Sequence, residues 1–212
     1  MKIKIDSKIF IIILAYVLTK NLYAFSIIFI FLIFHEFGHI IAAVFLKLKI
    51  KEIKLTISGF KMEFYSLSED YYYAIKKKRR VIDKIIIDMS GIVTNLFFVV
   101  FGVVIKNADI IYANTIIFLV NAFPIMPLDG GRILYDFLEL KYNNRMANYI
   151  AITISKYNLI ILTLIASVIV VYLENIIIGI FVFYLWYLYW KEKREFDTLE
   201  KIYKIICKKC LK

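Results

Sequence analysis

The sequence predicts an all-α integral membrane protein with about six transmembrane helices and a small cytoplasmic β-hairpin between the second and third. Three observations carry that expectation. Hydrophobic residues make up 62% of the 212-residue chain and mean hydropathy is +0.75, well above the roughly half-apolar composition of soluble domains. The apolar residues gather into runs approaching the ~20 residues that a helix needs to cross the hydrocarbon core. The basic residues gather between those runs, on what would be one side of a bilayer.

The expected spans, in order, are Ile9–Leu18, with an extension towards Phe25 interrupted by Lys20, then Phe25–Leu46, Ile85–Ile105, Ile110–Leu128, Leu159–Leu173 and Ile176–Trp190. The first and the last two are short for a full crossing and would borrow flanking polar residues. The N-terminal MKIKIDSKIF has the outline of a signal peptide, but Ala15-Tyr16-Val17-Leu18-Thr19-Lys20 is a poor cleavage site. An uncleaved first span is therefore expected. Between the second and third spans, Ile50 to Leu67 alternates apolar and polar residues around Ser58-Gly59, the pattern of a β-hairpin. Such a hairpin would close the loop, or its edge would hold an unwound substrate strand by backbone hydrogen bonds. Trp186 and Trp190 in the last span suit interfacial anchoring. The organisation expected is a polytopic domain over residues 1–190 and a basic cytoplasmic tail over 191–212.

Charge tests the count of spans. If the N-terminus is cytoplasmic, the stretches 1–8, 47–84, 129–158 and 191–212 face the cytoplasm and hold every Lys and Arg except Lys20 and Lys106. That is the positive-inside pattern, and an odd number of spans would scramble it. The reading is a multi-pass protein of a bacterial-type cell membrane with both termini cytoplasmic. The net charge of +11 then reflects topology and attraction to anionic lipid, and no nucleic-acid partner is expected.

Both histidines of the chain lie in one stretch, His35-Glu36-Phe37-Gly38-His39, inside the second apolar run. On a helix, residues i and i+4 share a face, so two imidazoles can take adjacent positions on one Zn²⁺ with Glu36 beside the open position as general base. An ionisable cluster at membrane depth is costly without a metal, a partner or a wet cavity. The competing reading is a pair of histidines hydrogen-bonded inside a helical bundle. A catalytic zinc also wants a third protein ligand, and with no other histidine it must be a carboxylate or a cysteine.

Cys207 and Cys210, alone in Cys-Lys-Lys-Cys near the C-terminus, cannot complete a tetrahedral site there. They read as reduced thiols on a basic tail, with palmitoylation or redox sensing as alternatives. The better candidate is Asp129, in Asn121-Ala122-Phe123-Pro124-Ile125-Met126-Pro127-Leu128-Asp129-Gly130-Gly131. The two prolines break the helix there, and broken backbone at membrane depth belongs where it lines a cavity or is buried in protein. Asn121 offers an amide to a substrate carbonyl or developing oxyanion. The plainer alternative is a helix-terminating turn with Asp129 as an N-cap. Two imidazoles and a carboxylate favour zinc over magnesium or calcium.

Taken together, the two segments resemble the site-2 protease family of intramembrane zinc metalloproteases, through HExxH in an early span and Asn-x-x-Pro-x-x-Pro-Leu-Asp-Gly in a later one. The resemblance implies a three-span catalytic core and one zinc per chain held by His35, His39 and Asp129. It implies Glu36 as the base and hydrolysis of a peptide bond in or near the membrane segment of a membrane-associated protein substrate. The chain looks most like the stage IV sporulation protein FB branch, whose members activate a membrane-tethered sigma factor precursor; membrane-bound regulatory proteins are further expected partners. Many members of that branch carry a C-terminal CBS domain; the expectation is a chain without it here, the domain being either naturally absent or cut away, since the sequence ends at Lys212 some twenty residues after the last expected span. The family commonly shows Gly-Pro-x-x-Asn where this chain has Gly91-Ile92-Val93-Thr94-Asn95, and Asn95 is assigned no part in catalysis.

On a helix reaching the cytoplasm near Leu46, His39 and His35 would lie ~10 and ~16 Å below the face, so the expected access is a cytoplasm-facing cavity. The alternative function is a non-proteolytic membrane metal-binding or transport protein. Such a protein is expected to show ionisable residues along a crossing path and often inverted repeats, and the chain has one such cluster and no repeat. A silent helix-binding scaffold would have no use for Glu36.

Overall fold

The computed structural model of the protein describes residues 2–5, 22–48, 50–56, 59–64, 73–173 and 176–210. The elements are β1 (Lys2–Ile5), α1 (Leu22–Phe45), β2 (Ile50–Thr56), β3 (Gly59–Phe64), α2 (Tyr73–Val104), α3 (Ala108–Ala122), α4 (Asp129–Lys141), α5 (Asn144–Leu173) and α6 (Ile176–Cys210). They fall into two compact units, Met1–Ala122 and Phe123–Lys212.

In the first unit a three-stranded sheet has the order β1-β2-β3. β2 and β3 pair antiparallel, from Thr56 opposite Gly59 to Ile50 opposite Phe64, with an irregularity between Ile50 and Glu52. β1 pairs parallel to β2, Lys2 opposite Glu52 and Ile5 opposite Leu55. Parallel neighbours need a long crossover, and α1 lies within it. The sequence reading placed residues 1–8 in a polar cytoplasmic stretch and did not anticipate β1. Lys-Ile-Lys-Ile alternates as a strand does, but four residues carry too little signal until a partner strand is present.

Helices α1 and α2 run antiparallel, since Phe31 packs edge-on against Phe98 at 5.1 Å while His39 meets Ile87. Both end the same way. Lys47 and Lys106 take left-handed φ of 54° and 55°, and the N–H groups of Lys47 and Leu48 return to the carbonyls of Val44 and Ala43. Those of Lys106 and Asn107 return to Val103 and Gly102. This is a Schellman closure with lysine where glycine is usual. The positive charge of a lysine at a helix C-terminus is favourable and works against the left-handed strain. Lys106, an exception to the charge asymmetry, thus has a local task. Asn107 then caps α3, its Oδ1 accepting the Ile110 N–H at 3.2 Å.

The second unit centres on Ile125, Ile152, Leu159, Leu185, Leu188 and Tyr189. Asn143 caps α5 by accepting the Met146 N–H at 2.9 Å. The polar stretch expected over residues 129–158 is therefore helical almost throughout, as α4 and the first half of α5. α6 continues without interruption past Trp190, the end of the expected sixth span. Cys207 and Cys210 fall in its last turns, and their side chains lie outside the described residues.

Among the described residues, three segments are long and apolar enough to cross a membrane: Ser26–Phe45, Arg79–Val104 and Asn144–Tyr172. They correspond to the second, third and fifth expected spans. The first expected span lies outside the described residues, the fourth is the 15-residue α3, and the sixth is the start of α6. Phe97 and Val104 on α2 and Val171 and Tyr172 on α5 are exposed, apolar surface that suits lipid.

Candidate metal centre

α1 turns a narrow polar face inward. His35, Glu36 and His39 are buried, while Phe34 and Phe37 beside them are exposed, as helical periodicity requires when one stripe packs on protein and the rest faces lipid. Two glycines permit the close approach of α2. A Cβ on Gly38 would stand 2.3 Å from Thr94 Oγ1, and a Cβ on Gly91 would stand 2.4 Å from His39 Nε2 and 2.6 Å from His35 Cε1. The imidazoles therefore rest on the bare backbone of Gly91.

Each ring is held through its Nδ1. His39 Nδ1 lies 2.7 Å from the carbonyl oxygen of Ile87; a carbonyl only accepts, so this nitrogen carries the hydrogen. His35 Nδ1 lies 3.0 Å from Oδ1 of the fully buried Asn95. The two Nε2 atoms face each other 3.2 Å apart. Nitrogens each 2.0–2.1 Å from a tetrahedral zinc stand roughly 3.3–3.4 Å apart, so the donor set fits zinc.

In the second unit, Asp129 is placed by an irregular turn. Pro124 to Leu128 leave helical geometry, and the Met126–Pro127 peptide is cis. The turn is pinned to α5: Met126 N–H donates to Ser155 Oγ at 2.9 Å, Ser155 donates on to the Ala151 carbonyl, and Asn158 donates to the Pro124 carbonyl at 3.3 Å. A Cβ on Gly131 would lie 2.5 Å from the Ile125 carbonyl carbon, so glycine is needed for the turn to fold against α4. The cap of α4 is Leu128, with no side-chain cap bond, and Asp129 is its first residue. The alternative that made Asp129 the N-cap is thus not what forms. Its buried carboxylate sits at the positive end of the helix, with Arg132 Nη1 3.6 Å from Oδ1. Further along α4, burial above all, then Glu139 and Asp136, pushes the Tyr135 hydroxyl up to about 12, so it stays protonated.

Of the expected site residues, His35 and His39 are brought together on α1 in the first unit, and Asp129 is placed at the start of α4 in the second. Asn121 lies near the end of α3 and spends one amide hydrogen on the Ile117 carbonyl at 3.2 Å. The sequence reading allowed Asn95 a packing or hydrogen-bonding role but none in catalysis, and gave no role to Gly91 or the Ile87 carbonyl. A lone amide in the apolar run of α2 was a usable signal, because a buried polar group needs a partner.

No family model and no curated protein matches the chain. Among solved structures, its fold is similar to that of the Site-2 Protease from Methanocaldococcus jannaschii, with a TM-score of 0.62 and 20% identity, covering 91% of each chain.

Proposed function

We propose that the protein is an intramembrane zinc metalloprotease that cleaves a membrane-associated protein substrate in or near its membrane segment. The observation that carries this reading is the buried pair of His35 and His39 with Glu36 on one inward face of α1, for which Asp129 is the proposed third ligand. The similarity of fold to a site-2 protease supports it independently. When bound, zinc supplies a Lewis acid that polarises a carbonyl and brings a water's pKa near neutrality. The chain's own part is to hold the imidazoles by Nδ1, to bring a carboxylate on a helix N-terminus, and to move a proton at the Glu36 carboxylate. Glu36 accepts the proton of the attacking water and returns it to the leaving amine.

The finer reading, with both termini cytoplasmic in a bacterial-type membrane, six crossings, a membrane-tethered sigma factor precursor as substrate and membrane-bound regulators, rests on the charge pattern and on the resemblance to the sporulation branch. Reconstitution with a candidate membrane-tethered substrate tests the activity. Glu36→Gln is expected to keep zinc and lose about 10²–10⁴-fold in cleavage rate. Undiminished cleavage by that variant would overturn the protease assignment. Stoichiometric zinc with no cleavage by the unmodified protein would favour a metal-handling role.

A further inference from the structure

We propose that Asn95 is the positioning residue that makes His35 a metal ligand. The inference rests on the reading that the histidine pair binds metal, and it concerns how one neutral ring is committed to the required tautomer. An imidazole ligating through Nε2 must carry its hydrogen on Nδ1, and the partner of Nδ1 decides whether it does. For His39 the choice is made by backbone, because the Ile87 carbonyl cannot donate. For His35 it is made by a side chain, Asn95 Oδ1 at 3.0 Å, from a residue with no solvent exposure.

An amide can present either end, and the two ends have opposite consequences. With oxygen towards His35, Nδ1 keeps its hydrogen and Nε2 offers a lone pair. With nitrogen towards His35, the amide donates, the ring hydrogen moves to Nε2 and ligation is lost. Oxygen faces the ring, and Asn95 Nδ2 is buried with no hydrogen-bond partner among the described residues. Leaving a buried donor unsatisfied is costly, so an acceptor turned to His35 comes at the expense of the amide's own donor.

The geometry also separates this role from packing. Leucine has a similar size but no acceptor, whereas aspartate keeps the acceptor and discards the unpartnered donor. Zinc affinity of the full-length protein in detergent, by chelator competition, should fall about 10–100-fold in Asn95→Leu and stay within a few-fold of the unmodified protein in Asn95→Asp. The chain has only two histidines, so ¹⁵N-histidine labelling reports both rings directly. In the zinc-loaded unmodified protein both Nδ1 atoms should be protonated; in Asn95→Leu the His35 signal should become a mixture of tautomers while His39 is unchanged.

Three outcomes overturn the proposal. One is Asn95→Leu binding zinc as tightly as the unmodified protein. Another is His35 in the zinc-loaded unmodified protein with its hydrogen on Nε2, a result independent of whether any variant folds. The third is no zinc in the unmodified protein, which removes the metal reading as well; zinc retained by all forms removes only the role of Asn95.

Discussion

The histidine face of α1 and the Asp129 turn both bury polar side chains that are candidate ligands, and they do so with different kinds of contact. His35 and His39 lie on regular helix, are aligned by the i, i+4 repeat, and are oriented by acceptors from the regular helix α2. Asp129 follows a stretch with no repeat, whose shape is held by side chains about thirty positions along the chain, Ser155 and Asn158 on α5. Regular backbone satisfies its own N–H and C=O groups, so the side chains around it are released for orienting ligands. Irregular backbone must recruit side chains to satisfy it. Ring orientation at the first region should therefore be separable from stability, whereas carboxylate placement at the second should not.

Gly91→Val offers the largest effect and the most direct way to break that contrast. The new side chain would occupy the space of both imidazole edges, and zinc affinity should fall at least ~10-fold with helix content unchanged by circular dichroism. Unaltered zinc binding would mean that α2 does not set the rings. Gly131→Ala comes next. Its Cβ meets the backbone of Ile125 and Met126, which cannot rotate aside, so unfolding in denaturing detergent should show a loss of about 2–3 kcal/mol, accompanied by weaker zinc binding. Full stability with weakened zinc would contradict the coupling. Ser155→Ala should have the smallest effect, about 1–2 kcal/mol for the unmet Met126 N–H, again with a parallel change in zinc affinity. A change in stability alone would place Asp129 outside the control of that turn.

How much of this was legible beforehand follows from the same contrast. HExxH could be read because the chemistry sits within one helical turn, where spacing along the chain is spacing in space. Asp129 could be nominated from the prolines and the glycine pair, but its place as the first residue of α4 with Leu128 as the cap could not, since that depends on Ser155 and Gly131. Asn95 stands sixty positions from His35, and nothing local in α2 says which face its amide occupies. β1 was missed because four alternating residues become a strand only when β2 lies alongside.

By itself, then, the sequence determined the apolar character and the three described helices long enough for a bilayer, and it nominated the candidate ligands and base, because hydropathy and helical periodicity are properties of neighbouring residues. The tertiary structure alone decided which groups hold each imidazole at Nδ1, Asn95 Oδ1 for His35 and the Ile87 carbonyl for His39. It also decided which glycines must remain bare, and that the polar stretch after Asp129 is helix and not loop. Those outcomes depend on contacts between residues far apart in the chain, where geometry and not order brings donor to acceptor.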